Sequence, residues 1–524
     1  MRARTDGRHA LLVGAGILLS RLVGLVRQRF IASYLGTTFA ADALTAAFRA
    51  PNILQNLLGE GVLSASFIPV YARLLEDGED EEASRVAGAI GALLAVVSAI
   101  VVVVGIVAAP LIVRVLLWGF TGERRELTIQ LVRILFPGTA LLVMSAWCIG
   151  ILNSHHRFFL SYAAPVAWNL AIIGALLLFA GGRSLTGIAT LVAWAAVAGS
   201  ALQLLVQWPT VRRVAPGLRF AFSTANARVR MIVRNFGPVV AGRGVVQVSG
   251  YADQLIASLL PVGAVFLLTN AQTLAMLPVS LFGMAVSAAE LPAMSRATGT
   301  AGEIAGALRD RLAGGLARIA FFVVPSAAAF VAIGNVLAAM IFQSGRFTAA
   351  DSRWIWTILG GSAIGLLAST SGRLYASVLY ALQDTKTPFR FAVIRVALTI
   401  SLGVMGALVL PARMGLDPMW GIAGLSSSAG LAAWVEFLLL RRAVEARIGT
   451  SRVPWQRMAT LWGLAALAGA ASYALALRLA AVAPVQRGVL VVAAFGVIYI
   501  GLAIALGVPE ARALVRRLRR RRAS

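Results

Sequence analysis

Two apolar stretches near the N-terminus carry charged side chains that could bind an anion. Arg21 and Arg27 lie within residues 10–34, and Asp42 lies within residues 39–70. A guanidinium keeps its charge when it is removed from water, and its planar fork donates paired hydrogen bonds to a phosphate. The arginines therefore indicate an anionic ligand, for which a phosphate or a pyrophosphate is the expected group.

The second stretch places four polar side chains at helical intervals. They are separated by seven, seven and four residues: Asp42, Arg49, Asn56 and Glu60. This spacing predicts that they lie near one helical face, although Pro51 favours a kink between them. Asn52 and Gln55 on the same stretch are further candidates for a polar cavity. The alternative interpretation is that the arginines form structural ion pairs with Asp42, Glu60 or Asp253.

Three more ionisable residues lie in later apolar stretches, at Arg243, Asp253 and Glu290. A charge inside a membrane span is costly, so it usually faces a polar cavity or a partner. Arg243 is a candidate for the anion site. Asp253 and Glu290 are candidates for coupling to protons or sodium, with the membrane potential as a third possible driving force. No cofactor is expected.

The composition excludes most soluble proteins. The chain has 524 residues, of which 59% are hydrophobic and 13% charged, with a net charge of +26. A soluble chain is about half apolar and about a quarter charged. A single cysteine, Cys148, and three histidines leave little for disulfides or metal sites. We therefore expect a polytopic membrane protein that is neither an enzyme nor a binder of nucleic acid.

Spanning helices of about 20 apolar residues are predicted at fourteen places. The fold class is accordingly all-α. The predicted spans are 10–34, 39–70, 86–117, 127–151, 158–181, 185–208, 235–260, 263–291, 316–343, 353–381, 389–410, 418–440, 456–480 and 486–508.

The basic residues orient these spans. Residues 209–234, 441–457 and 510–524 carry six, five and seven of them. The positive-inside rule therefore places these segments and both termini in the cytoplasm. Arg124 and Arg125 fall in a loop on the opposite side.

The sequence also repeats itself. Motifs recur in order at offsets near 225–230 residues, as in Arg29–Leu35 against Gln254–Leu260, and Leu152–Asn153 against Leu382–Gln383. This repeat predicts two six-helix lobes, 1–234 and 235–450, followed by two helices and a basic tail in 451–524. Transporters of this plan bind their substrate between the lobes near the membrane midplane.

Several motifs resemble the MurJ/MviN lipid II flippase family over about the first 440 residues. They are Ser20–Arg27, Thr38–Ala43, Phe48–Asn52, Gly59–Pro69, Gln343–Asp351 and Leu379–Pro388. The resemblance implies the fold of the multidrug/oligosaccharidyl-lipid/polysaccharide exporters. It also implies flipping of a lipid-linked peptidoglycan precursor by alternating access through a cationic cavity, with the prenyl tail in a groove by the last two helices.

The resemblance also assigns residues to that cavity. Arg21, Arg27, Asp42 and Glu60 match functional positions of the family. Arg49 falls where a basic residue is usual, and Asn52 keeps the family's Pro-Asn pair. The chain departs from the family at Gln28, where an acidic residue is expected, and at Gln55 and Thr273, where arginines are expected. Arg243 is a candidate to compensate for the two missing arginines.

These observations predict a monomeric flippase in the bacterial inner membrane, in contact with membrane lipids and a lipid-linked peptidoglycan precursor. Two alternatives stay open. One is a flippase for another polyprenyl-pyrophosphate-linked glycan, which the missing arginines favour. The other is a drug or cation antiporter of the same fold, for which an acidic cavity is expected.

Overall fold

The computed structural model describes residues 2–221, 226–296, 298–450, 455–513 and 516. Side chains are not described at 2–15, 17, 50, 60, 237–250, 288 and 455. Within the described residues the chain is helical, and its one extended pairing is an isolated bridge between Ser344 and Phe347. The all-α class is therefore confirmed.

Within the described residues, nine helices lie in the first half of the chain. They are α1 (Arg2–Leu35), α2 (Phe39–Leu58), α3 (Glu60–Ser66), α4 (Ile68–Glu76), α5 (Asp80–Leu116), α6 (Gly122–Ser154), α7 (Phe158–Phe179), α8 (Leu185–Val214) and α9 (Ala227–Ser258).

The described part of the second half contains nine more, and a π-helical turn, Val279–Met284, joins the first two of them. They are α10 (Ala264–Pro278), α11 (Ala285–Ser295), α12 (Ala301–Phe342), α13 (Ala349–Ala381), α14 (Lys386–Val404), α15 (Leu410–Arg413), α16 (Gly421–Ile448), α17 (Trp455–Arg478) and α18 (Pro484–Ala505).

Twelve segments among the described residues are long and apolar enough to cross a membrane. Each overlaps one of the fourteen predicted spans. The other two predicted spans, 10–34 and 235–260, fall on α1 and α9, whose side chains are only partly described. The chain is thus a multi-pass membrane protein, and the count of fourteen stays a prediction.

The predicted repeat recurs in the backbone of the turns. His156 and Gln383 are the two non-glycine residues with a positive φ among the described residues, and they lie 227 residues apart. Gly36 and Gly263 share the same offset and also have positive φ values, +61° and +95°. A left-handed residue therefore recurs near the same place in each half, within the range of offsets that the predicted repeat gives.

The described chain forms two compact units. The first contains residues 1–266 and 344–347, and the second contains 267–343 and 348–524. In the first, the Trp147 side chain is fully buried, and its indole N–H donates to the Ala87 carbonyl at 3.2 Å. The first unit thus includes α9, whereas the lobes predicted from the repeat divide at residue 234. That division into transport lobes stays a prediction.

In the second unit, an aromatic group holds α18 against α12. The Tyr499 hydroxyl donates to the Phe321 carbonyl at 2.8 Å, and the two rings lie 5.6 Å apart. The last two helices therefore pack onto the second unit, and α17 also contacts α12.

One predicted helix is interrupted. Residues 39–76 form three helices, and the first break comes at Gly59, whose backbone (φ −93°, ψ −142°) is not helical. Pro51 lies inside α2 and does not end it. Glu60 therefore begins α3, and the prediction that it shares a continuous helical face with Asp42 is wrong. Glycine favours such a break because it loses more conformational freedom in a helix than other residues do.

The turn between α13 and α14 is fixed by Asp384. Its carboxylate accepts the backbone N–H of Lys386 and Thr387 at 3.0 Å, and Arg447 on α16 pairs with it at 2.5 Å. Hydrogen bonds from Thr387, together with the Arg447 charge, hold the pKa of Asp384 well below its usual range. This residue therefore ties the ends of α13, α14 and α16 together.

The left-handed turn at Gln383 can be tested without touching the core, because this side chain is exposed. We expect Gln383→Val to destabilise the protein by about 1–2 kcal/mol, since a β-branched residue is strained at positive φ. Gln383→Gly should be neutral or stabilising. Thermal unfolding in detergent measures the difference, and equal melting temperatures for the two variants would contradict the assigned turn.

Candidate substrate site

Asp42 lies at the start of α2 and is fully buried. The Gly263 N–H donates to one carboxylate oxygen at 2.6 Å, and the Phe266 N–H donates to the other at 2.8 Å. These two amides belong to the first turn of α10, whose free N–H groups and dipole favour an anion. Asp42 thus acts as a side-chain cap for a helix that begins 222 residues later in the sequence.

Arg124, on the first turn of α6, supplies the opposite charge. Its Nη2 lies 2.8 Å from the same carboxylate, and both side chains are buried. The N–H bonds do not point at the oxygens, so the contact is an ion pair without a linear hydrogen bond. The guanidinium also stacks on Phe120, 3.6 Å from the ring centroid. The structural alternative considered for Asp42, an ion pair with an arginine, is therefore what the structure contains.

Main-chain segments near this ion pair lie unusually close to one another. A Cβ on Gly263 would lie 2.8 Å from the Thr37 carbonyl oxygen, and one on Gly36 would lie 3.0 Å from that of Arg346. The Arg346 N–H donates to the Ser33 carbonyl at 2.8 Å. The turns after α1 and α9 and the short segment 344–347 are thus packed together by main-chain contacts.

Arg27 is held in a different way, by neutral groups. Its Nη1 donates to the Asn169 side-chain oxygen at 3.0 Å, and its guanidinium lies 4.7 Å from the centre of the Trp168 ring. Within the described residues no carboxylate pairs with it, and its Nε–H has no hydrogen-bond partner. The side chain is therefore oriented, and within the described residues its charge has no counter-ion.

A polar cavity of about 440 Å³ lies in the same unit. Gln55, Asn56, Ser64 and Gln203 supply its polar lining. Pro165 also lines this cavity, and its carbonyl accepts a hydrogen bond from the amide of Asn169, the residue that orients Arg27. The cavity wall is thus connected to Arg27 through one intervening side chain.

A buried network supports this wall. The Gln203 amide donates to the Ser145 hydroxyl at 2.9 Å, which donates to the Gln207 carbonyl oxygen at 3.0 Å. Such a network fixes the side chains that take part in it. Among the described residues, the polar part of the cavity lining therefore consists of amides and a hydroxyl, without charged side chains.

Arg49 is half-buried and lies in the middle part of α2, away from both ends of the helix. Its carbonyl accepts the Tyr251 hydroxyl at 3.1 Å, and its side chain lines a small crevice with Tyr251 and Gln254. Asp253, on the same helix α9, is also half-buried. These residues belong to the first unit together with Arg27 and Asp42.

The remaining predicted residues do not join this group in the described structure. Arg21 and Asn52 are exposed on α1 and α2. The side chains of Glu60 and Arg243 lie outside the described residues. Thr273, in the second unit, is exposed on α10 and donates its hydroxyl to the Thr269 carbonyl at 2.9 Å.

Glu290, a candidate for ion coupling, is buried in the second unit and already neutralised. Arg318 and Arg311 on α12 both pair with its carboxylate, the latter at 3.5 Å. An ion that bound there would have to compete with these two guanidinium groups. Among the described residues, no cluster of three histidine, cysteine or acidic side chains could hold a metal ion.

Sequence reasoning missed three residues of this site. The sequence predicts Arg124 in a loop facing water, because this residue is separated from the apolar part of its helix. Asn169 and Trp168 lie in α7 without any charge to mark them. The one available signal was the unbalanced Asp42, which needed a cation from another segment.

Similarity to known proteins shows the family of the chain. Residues 31–485 match the family described as "Lipid II flippase MurJ". The chain belongs to the MurJ family. A probable MurJ from Rhizobium tropici is 30% identical over 439 residues, which are 82% of this chain and 79% of the relative. The MurJ of Burkholderia cenocepacia is 31% identical over 440 residues, covering 83% and 82%.

Solved structures share the fold. A MurJ in an inward closed conformation aligns with a TM-score of 0.73 at 20% identity, covering 94% of this chain and all of the other. An inward-facing transporter of the MATE family aligns with a TM-score of 0.64 at 17% identity, covering 84% of this chain. The MurJ fold is therefore shared with multidrug transporters, and fold alone does not select the cargo.

For the Asp42–Arg124 pair we predict that the losses of stability in the single and double variants are not additive. Arg124→Met leaves a buried carboxylate without its cation, and we expect a loss of about 3–5 kcal/mol. Adding Asp42→Asn should recover part of that loss, because the uncompensated charge is removed. Thermal unfolding in detergent measures both.

Arg125→Met is the matched control, since Arg125 follows directly on α6 and forms no ion pair within the described residues. It should unfold like the parent protein. A double variant less stable than Arg124→Met alone would show that the pair is not held by charge.

Proposed function

We propose that this chain flips lipid II, a peptidoglycan precursor linked to undecaprenyl pyrophosphate, from the inner to the outer leaflet of the bacterial cytoplasmic membrane. The observation that carries the proposal is the match of residues 31–485 to a family of lipid II flippases. The chain is a transporter, and its multiple spans place it in the membrane. Both termini are assigned to the cytoplasm by the positive-inside rule.

Arg27 supplies the chemistry for the pyrophosphate. A guanidinium whose neighbours are an amide and an indole keeps its full charge, and its free N–H groups can bind phosphate oxygens in pairs. Asp42 differs, because its charge is already matched by Arg124 and two backbone amides. In this proposal Arg27 contacts the substrate, whereas Asp42 stabilises the packing of the helices in the same unit.

The neutral cavity suits the sugar and peptide part of the headgroup. Amide side chains both donate and accept hydrogen bonds, so Gln55, Asn56 and Gln203 can pair with hydroxyls and peptide groups. A cavity for a cationic drug would be expected to present carboxylates, and the described lining of this cavity contains none. This contrast favours a glycan over a cation as the cargo.

An apolar groove in the second unit suits the prenyl chain. It has a volume of about 510 Å³ and lies between α12, α13 and α17. Trp356, Trp462 and Tyr473 line it together with alanines and a glycine. Burial of hydrocarbon against such a surface is favourable and not directional, as a long flexible tail requires.

Coupling to a proton, sodium or the membrane potential is part of the proposal. Asp253 and Glu290 are the candidate carboxylates, and an ion at Glu290 would have to compete with two arginines. We propose that the chain works as a monomer.

A second candidate function is flipping of another polyprenyl-pyrophosphate-linked glycan. Gln55 and Thr273 favour it, because arginines are expected at these positions when lipid II is the cargo. Gln55 lines the neutral cavity directly, so a change there alters contacts to the headgroup rather than the fold.

Complementation tests the proposal. Expression of this chain should restore growth to cells depleted of their native lipid II flippase, and Arg27→Ala should abolish the rescue because the phosphate loses its cation. Growth curves, with membrane insertion checked by immunoblotting, give the measurement. Arg390→Ala, which removes an exposed arginine from α14, is the control and should still rescue.

Failure of the inserted parent chain to rescue would argue against lipid II. The variant carrying Gln55→Arg and Thr273→Arg then separates the two candidates. Rescue by this variant alone would assign the parent chain to another lipid-linked glycan. Full rescue by Arg27→Ala would remove Arg27 from the site.

A further inference from the structure

Three charged side chains meet in the second unit, away from the residues described above. They are Arg373 on α13, Arg395 on α14 and Glu436 on α16. Arg395 donates from Nη1 to Glu436 at 2.9 Å. Arg373 interacts electrostatically with both of them and forms no ion pair within the described residues.

The three residues lie at membrane depth. Arg373 precedes the end of α13 by eight residues, and Arg395 follows the start of α14 by nine. At about 1.5 Å per residue, both are roughly 12–14 Å from the turn that joins the two helices. All three helices belong to candidate membrane spans, so the group lies on the membrane-spanning part of these helices, on the side of that turn.

The charges of this group do not balance. Two guanidinium groups face one carboxylate, which leaves one positive charge without a counter-ion among the described residues. An unneutralised charge at this depth is unfavourable, and such residues usually face a partner or a polar ligand. The carboxylate is nearly covered, at 15% exposure, whereas Arg395 is 37% exposed and Arg373 is also exposed. The positive side of the group is therefore the accessible side.

A further hydrogen-bond donor lies on the same face. Tyr380 follows Arg373 by seven residues, which is two helical turns, and it is 46% exposed. It too interacts electrostatically with Glu436. An anion that reached Arg373 would therefore meet a guanidinium fork with a phenolic hydroxyl close along the helix.

We propose that Arg373 and Arg395 form a binding site for the phosphate of a lipid headgroup, with Glu436 holding Arg395 in place. Depth selects a lipid over a dissolved anion, because a dissolved phosphate would have to leave water without an apolar tail to compensate. The arginines favour a phosphate as the bound group, because two N–H groups of one guanidinium match two phosphate oxygens. The phosphate can come from a transported lipid pyrophosphate or from a phospholipid of the bilayer.

Lipid binding by the purified full-length chain tests this site. Native mass spectrometry in detergent compares undecaprenyl pyrophosphate, phosphatidylglycerol and the uncharged undecaprenol. Arg373→Gln should weaken binding of the phosphate-bearing lipid about tenfold or more, since a charge-assisted hydrogen bond is lost, and should leave undecaprenol unchanged. Arg373→Lys should fall between the two, because it keeps the charge without the fork.

Glu436→Gln changes the site in the opposite direction. The glutamine oxygen can still accept a hydrogen bond from Arg395 and hold it in place, whereas the negative charge that competes with the phosphate is gone. Binding of the phosphate-bearing lipid should therefore tighten, and this gain cannot come from misfolding. If Arg395 and Glu436 formed only a structural pair, this variant would lower stability and leave phosphate binding unchanged. Arg390→Gln, on the same helix as Arg395 but exposed and outside the group, is the matched control and should bind as the parent does.

The identity of the lipid that binds shows where the phosphate comes from. Preference for undecaprenyl pyrophosphate assigns the site to the transported lipid, and binding of phosphatidylglycerol assigns it to the bilayer; either result supports the site. Equal phosphate binding by the parent and Arg373→Gln, or an equal loss in Arg390→Gln, overturns it. Because no transport is measured, this outcome is independent of the complementation test.

Discussion

A carboxylate that is fully buried must be neutralised where it lies, and Asp42 sets this requirement for the first unit. Its neighbours meet the requirement from two directions, with a guanidinium from α6 and two amides from the start of α10. Removing one partner of such a group costs more than the pair contributes, because the remaining charge cannot regain water. The first turns of α2, α6 and α10 are therefore fixed relative to one another by a single side chain.

The chain treats its buried arginines in two ways. Where an arginine has a carboxylate partner, as Arg124 does, its charge is used within the protein. Arg27 has an amide and an aromatic ring instead, so its position is fixed while its charge stays available. An arginine paired with an amide can thus still bind an anionic ligand, whereas an arginine paired with a carboxylate is already neutralised. The partner alone therefore distinguishes a ligand-binding arginine from a structural one.

Much of the fold was predictable from the sequence because the membrane imposes one length scale and one secondary structure. Hydropathy located the helices, and the offset between Leu152 and Leu382 located the repeat. The site was harder to predict. Arg124 lies at a helix end, where its charge fits a loop facing water equally well, and Asn169 carries no charge that hydropathy would notice. The break at Gly59 was missed because apolar residues continue on both sides of it.

The Asp42 cap has a consequence for an anionic cargo. The first turn of α10 has the geometry by which proteins hold phosphate groups, with free amides and the positive end of a helix dipole. Here that position is filled by the protein's own carboxylate, so a lipid pyrophosphate that came near would find these two amide donors already occupied. The protein thereby removes a competing anion-binding site. A cargo that must be released on the far side of the membrane then has one fewer site at which it could remain bound.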